Sequence, residues 1–151
     1  LPGVIAGYVP WRVFGLGRIR FDPEAPAQLL GLLTVLVGAA LLGACIFEFA
    51  RRGRGTLSPL DPPQRLVVRG LYRYVRNPMY LSVTMIVLGE ALLAWSLALV
   101  AYWVVWFVAA NLFVVAYEEP TLRQQFGGSY DLYAQQVGRW IPRVQRCKST
   151  W

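Results

Sequence analysis

Three long apolar blocks dominate this chain, the first set apart by a polar stretch and the other two joined at a tight turn. The longest, "AQLLGLLTVLVGAALLGACIFEFA", runs from Ala27 to Ala50 and would rise about 36 Å as a helix, enough to cross a bilayer. A second, Met79 to Trp95, and a third, Leu97 to Tyr117, meet at "AWS", which leaves room only for a helical hairpin. The apolar positions are gathered in blocks rather than spread at the amphipathic spacing of a soluble core, so they predict three membrane spans. The first residues, "LPGVIAGYVPW", are apolar but too few to cross alone; with no initiator Met, they read as the end of a truncated first span.

Two polar segments flank the hairpin. "RRGRGTLSPLDPPQRLVVRGLYRYVRNPMY" is rich in Gly and Pro and predicts an ordered loop with short turns, ending where Pro78 opens a helix. "YEEPTLRQQFGGSYDLYAQQVGRWIP" predicts two short helices divided at Gly127-Gly128, with Ser129 as the cap of the second. Leu122, Phe126, Tyr130, Tyr133, Val137 and Trp140 recur at helical spacing, so this part either lies along a membrane surface or folds over the loop.

Composition agrees: 56% of the 151 residues are hydrophobic, 15% are charged, and the mean hydropathy is +0.44, far from the usual soluble balance. The expected fold is all-α: a polytopic membrane helical bundle of three spans plus the truncated one, forming a single domain over residues 1–151.

Charge gives this bundle a direction. Arg51, Arg52, Arg54, Arg65, Arg69, Arg73 and Arg76 lie between the first and second spans, and Arg123, Arg139, Arg143, Arg146 and Lys148 lie in the tail. A Met79–Tyr117 hairpin returns the chain to its starting side, so both basic segments share a face, and the positive-inside rule makes that face cytoplasmic. The Trp95 turn then faces outward. A net charge of +7 is also compatible with nucleic acid, but arginines flanking spans are more simply anchors to anionic lipid. No nucleic-acid partner is expected.

The sequence has no His and two Cys, Cys45 in the first block and Cys147 in the tail. No zinc site or disulfide framework is supported, and Ser-His or Cys-His nucleophilic catalysis is excluded. Chemistry falls to carboxylates, tyrosines, arginines, backbone groups or a cofactor.

Glu118-Glu119 is the sharpest anomaly. Two acids at the C-terminal end of a span oppose the helix dipole and are partly desolvated, so something must compensate them: arginines of the loop such as Arg76 or Arg69, or a cationic ligand group. Glu90 and Asn111, inside the spans, are explained as well by helix-to-helix hydrogen bonds as by a site. Gly53-Arg54-Gly55 has no strand before it and is not read as a nucleotide-binding fingerprint.

At "GLYRYVRNPMY" and "YEEPTLRQQFGGSYDLYAQQVGRWIP" the chain resembles the isoprenylcysteine carboxyl methyltransferase and phospholipid methyltransferase group of integral membrane enzymes, over roughly Gly55 to Pro142. Asn77-Pro78-Met79-Tyr80 and Tyr117-Glu118-Glu119-Pro120 also resemble the phosphatidylethanolamine N-methyltransferase branch, whereas "FGGSY" and "WIP" are more like the isoprenylcysteine branch. The resemblance implies S-adenosyl-L-methionine as cofactor, bound at the cytoplasmic membrane face by a core over residues 55–142. By position the cofactor contacts fall on Leu66, Val67, Tyr72, Asn77, Pro78, Tyr80 and Glu118, with Arg76 and Glu119 as catalytic candidates. Glu118 can pair with the cofactor's α-ammonium, Asn77 can hold its carboxylate or adenine, and tyrosine faces suit a sulfonium. No metal is implied.

The implied activity is methylation of a lipophilic, membrane-embedded small molecule or lipid. Two features depart from the isoprenylcysteine branch: Val114 stands where its enzymes carry a substrate-binding Arg, and Asn77 replaces the His of their Arg-His-Pro motif. Recognition of a prenylcysteine carboxylate is the alternative activity, and a non-catalytic membrane scaffold that kept the fold is the alternative of a different class.

Overall fold

The computed structural model describes residues 2–15, 22, 24–52 and 70–142. A π-helical turn, Val4–Tyr8, leads into α1 (Val9–Val13), followed by α2 (Pro26–Arg52), a 3-10 turn at Gly70–Arg73, α3 (Pro78–Ala94) and α4 (Leu97–Phe113). A second π-helical turn, Val114–Glu118, carries α4 directly into α5 (Glu119–Phe126), and α6 is Gly128–Gln136. The described residues contain no strand, only an isolated parallel bridge between Val75 and Gly138. The all-α expectation is met.

Among the described residues, two helices are long and apolar enough to cross a membrane: Pro26–Glu48, of 23 residues, and Leu97–Phe126, of 30 residues. The expected middle span is helical as α3, but its 17 residues rise about 26 Å, somewhat less than a typical hydrocarbon core. The N-terminal segment forms only its short π-helical turn and α1 among the described residues. The stretch 53–69, including Leu66 and Val67, lies outside the described residues, as does the tail from 143 onward with Cys147.

The chain divides into two compact units, Leu1–Gly43 with Met79–Asn111, and Ala44–Pro78 with Leu112–Trp151. In the first unit, α2 and α3 meet through glycines. A Cβ added to Gly89 would come 2.7 Å from the Gly31 carbonyl oxygen, and one added to Gly31 would come 2.8 Å from the Gly89 carbonyl oxygen. Without side chains the backbones approach closely, and van der Waals contact takes over the role that hydrophobic burial plays in water. Gly38, on the same face of α2, sits against Ile86 in the same way. Val83, Val87, Ala91 and Leu99 are buried in this unit, whereas Leu29, Leu30, Leu33 and Leu36 of α2 and Val104, Val105 and Val108 of α4 point outward.

The helical hairpin takes the expected form. α3 ends at Ala94 and α4 starts at Leu97, with Trp95 at φ 47 the one non-glycine residue with positive φ among those described. Ser96 Oγ accepts the Leu99 N–H at 3.4 Å, satisfying a donor at the start of α4. Trp103 Nε1 donates to the Thr84 carbonyl at 3.1 Å, and the Tyr102 hydroxyl donates to the Ile5 carbonyl at 3.0 Å.

In the second unit the division between α5 and α6 falls at Gly127, as expected, but Ser129 is not the cap. Gly127 itself, at φ 53, occupies that position, and no side chain caps α6. Only glycine takes such backbone angles readily, so the turn is made by conformation rather than by a hydroxyl. Tyr130, Tyr133 and Val137 form a buried cluster with Leu122, Phe126 and Ala134 packed against it. Of the two expected dispositions, the structure shows the fold-over: this face packs inward, and Tyr133 donates its hydroxyl to the Tyr72 carbonyl at 2.6 Å.

Candidate functional site

Within the second unit, residues 72–77, the Glu118-Glu119 step and residues 138–139 converge. The Val75–Gly138 bridge and the Arg76 N–H donated to the Gly138 carbonyl at 2.9 Å lay the segment after α6 along the turn before α3. Asn77, buried, donates its side-chain amide to the Arg139 carbonyl at 3.4 Å. Pro78 opens α3 immediately after it, where a missing N–H costs no hydrogen bond.

Glu119 is buried and carries the compensation that the sequence demanded. Arg139 grips it as a fork, Nε to Oε1 at 2.7 Å and Nη2 to Oε2 at 2.9 Å. Arg76 Nη1 lies 3.1 Å from the same Oε1 and donates to the Tyr130 hydroxyl at 3.5 Å. Burial pushes the Glu119 carboxyl up, but the Arg139 hydrogen bond and the charges of Arg76, Arg139 and Arg123 together outweigh it, holding it below its ordinary value. The same hydrogen bond raises Arg139. Burial first, and the neighbouring Glu119 second, push the Tyr130 phenol up.

Glu118, one residue earlier, acts on both Tyr130 and Tyr72, raising each phenol. Burial, Cys45 and Glu118 together push the Tyr72 phenol well above its ordinary value, so the half-buried Glu118 and Tyr72 share one environment. The Glu48 carboxylate lies against Gly70, where a Cβ would come 3.0 Å from its Cδ. Since Gly70 also has φ 62, both space and backbone reserve that position for glycine. Tyr80 lies in the first turn of α3, in the other unit, with its ring centroid 6.4 Å from that of Trp106.

Of the residues expected from the sequence, Tyr72, Arg76, Asn77, Pro78, Glu118 and Glu119 lie in one unit and Tyr80 in the other. Leu66 and Val67 lie outside the described residues. Sequence reasoning sought cations for the acid pair and named Arg76, which is found there, and Arg69, which lies outside the described residues. It counted Arg139 only as a tail charge and missed its fork. The acid pair signals a need for cations, but nothing in residue type singles out Arg139, which reaches Glu119 only through the fold.

The groups gathered here can pair with a ligand that carries both a cationic and an anionic group. Glu118 offers an anion, and Arg76 a further N–H, because its Nε is buried and meets no hydrogen-bond acceptor among the described residues. Residues 26–129 match the family model described as phospholipid methyltransferase. Over 119 residues the chain is also 28% identical to a probable protein-S-isoprenylcysteine O-methyltransferase of Oryza sativa subsp. indica and, equally, to one of Oryza sativa subsp. japonica. The aligned region is 77% of this chain and 61% of each relative.

Proposed function

Because the chain belongs to the phospholipid methyltransferase family, we propose that it is an integral membrane methyltransferase that uses S-adenosylmethionine to methylate a lipophilic acceptor. The observation that carries this reading is the different engagement of the two acids: Glu119 is held by Arg139 and Arg76, while the half-buried Glu118 lies within electrostatic reach of Tyr72 and Tyr130.

The cofactor supplies an electrophilic methyl group on a positively charged sulfur, whose in-line transfer rewards alignment and exclusion of water. Glu118 holds the α-ammonium group, and Tyr72 presents its ring to the sulfonium. The spare Arg76 N–H binds the carboxylate, with Asn77 and Pro78 shaping the turn behind it. Leu66, Val67 and Tyr80 remain proposed contacts. Arg76 and Glu119 act at this site by holding it in shape, with Arg76 the one that also reaches the ligand.

The acceptor follows from Val114. The position where the isoprenylcysteine branch carries an Arg is a fully buried valine, 0% exposed, and supplies no cation for a carboxylate. A phospholipid amine or another membrane-soluble nucleophile therefore fits better. The names of the two rice relatives favour the second reading, carboxyl methylation of a prenylcysteine. In the membrane, we place three spans as the sequence suggests, with the arginine-rich loop, the tail and the cofactor site on the cytoplasmic side.

Calorimetry of detergent-purified protein with S-adenosylmethionine tests the reading. Saturable binding to one site per chain is expected. Absence of binding, with the protein folded, would contradict it.

A further inference from the structure

Arg139 has no role in the cofactor contacts described above, yet among the described residues of the second unit it is the cation with a two-pronged hydrogen-bonded grip on a buried acid. Its fork on Glu119 uses two parallel hydrogen bonds at 2.7 and 2.9 Å, a geometry a guanidinium provides and an ammonium does not. Its own backbone is fixed from the other side, because its carbonyl receives Asn77 and the preceding Gly138 is bridged to Val75 and receives the Arg76 N–H. Arg139 therefore joins the turn before α3 to the start of α5.

The helix it grips is irregular at that point. Val114–Glu118 is a π-helical turn, a wider winding with poorer hydrogen-bond geometry than an α-helix and a feature that gathers at functional sites. Adjacent residues on a helix point about 100° apart. Clamping Glu119 on one side thus fixes the rotation of the whole step and, with it, the direction of Glu118.

Resting on the methyltransferase reading above, we infer that Arg139 is a positioning residue: its fork on Glu119 sets the π-helical turn so that Glu118 faces the cofactor. Arg76 is a weaker brace, touching Glu119 through one nitrogen at 3.1 Å, which leaves its Nε for the ligand.

The test compares S-adenosylmethionine affinity by calorimetry, and thermal midpoint in detergent, for wild type, Arg139→Met, Arg139→Lys, Glu119→Gln and the Arg139→Met/Glu119→Gln double variant. Each of Arg139→Met and Glu119→Gln should weaken binding roughly tenfold, and the double variant should be no worse than the weaker single, because both remove one coupled device. Arg139→Lys should recover part of the affinity at a near-wild-type midpoint. If Arg139→Met does not fold, Arg139→Lys carries the test alone, and it should still bind several-fold more weakly than wild type. Folded variants with wild-type affinity, or a double variant whose loss is the product of the two single losses, would overturn the inference while leaving the methyltransferase reading intact. A wild-type protein that binds no cofactor would overturn that reading as well.

Discussion

At the scale of single residues, the two acids of the "YEEP" step have been given opposite tasks, and each task has its own measurable consequence. Glu118 lies within electrostatic reach of Tyr72 and is expected to meet a cation. Glu118→Gln keeps the shape and removes the charge, so it should weaken cofactor binding by about 1.5–3 kcal/mol, the range for a hydrogen bond to a charged group. Equal affinity of both proteins by calorimetry would contradict the assignment.

Glu119, by contrast, contributes stability whose pH dependence has a definite sign. Its folded pKa is depressed below the ordinary 4.5, so the folded state binds the proton less readily than the unfolded one. The stabilisation is then fully present above that ordinary value and is lost as pH falls through the lower folded value. Thermal unfolding of wild type and Glu119→Gln should therefore differ by a constant amount near neutrality and converge in acid. A gap that stays open at a pH well below the carboxylate range would show that the arginines are not what sustains the difference.

At the scale of elements, the Gly31 and Gly89 contact sets how closely α2 and α3 pack. Gly89→Val would drive a side chain into backbone atoms 2.7–2.8 Å away and should destabilise the protein by about 1–3 kcal/mol, as overpacking does. Gly43→Ala is the control, since nothing lies within 4 Å of a Cβ there. Its midpoint should stay level or rise slightly, because alanine favours a helix. The two variants behaving alike in a thermal melt would rule out a close backbone contact.

The same scale shows what the sequence reveals and what it hides. Block hydrophobicity marks α2, α3 and α4 because length and composition alone define apolar helices. Pro78 and the Trp95-Ser96 step mark helix boundaries because their constraints are local. The cap of α6 was misread, since Gly127 and Ser129 both suit a turn and only the backbone angle of Gly127 decides between them. The π-helical turn at Val114–Glu118 leaves no mark in residue types, and the Arg139 fork depends on a fold-over that joins positions distant in sequence. The acid pair was legible as a need for cations; which cation reached it was a tertiary fact.

For the whole molecule, the proposed topology puts the arginine-rich loop and the tail on the cytoplasmic side and Trp95 on the other. Single cysteines at Ser58, Ser96 and Ser149, in a protein freed of Cys45 and Cys147, can be treated with an impermeant thiol reagent on intact cells. Position 96 should label and positions 58 and 149 should not. The reverse pattern would invert the arrangement. Each span must also cross, so labelling at all three sites would point to a chain that does not span the bilayer as proposed.

The proposed chemistry itself is tested most directly by following the methyl group. Purified protein is incubated with methyl-labelled S-adenosylmethionine and either a membrane lipid extract or a farnesylcysteine analogue, across the neutral pH range. The expected result is label in an organic-extractable lipid product from which base releases no volatile methanol, formed faster as pH rises because an amine acceptor must lose its proton before it attacks. Base-labile labelling of the farnesylcysteine analogue with none in the lipids would refute the acceptor deduced from Val114, and no transfer to either, by protein that is folded and binds the cofactor, would contradict the methyltransferase itself.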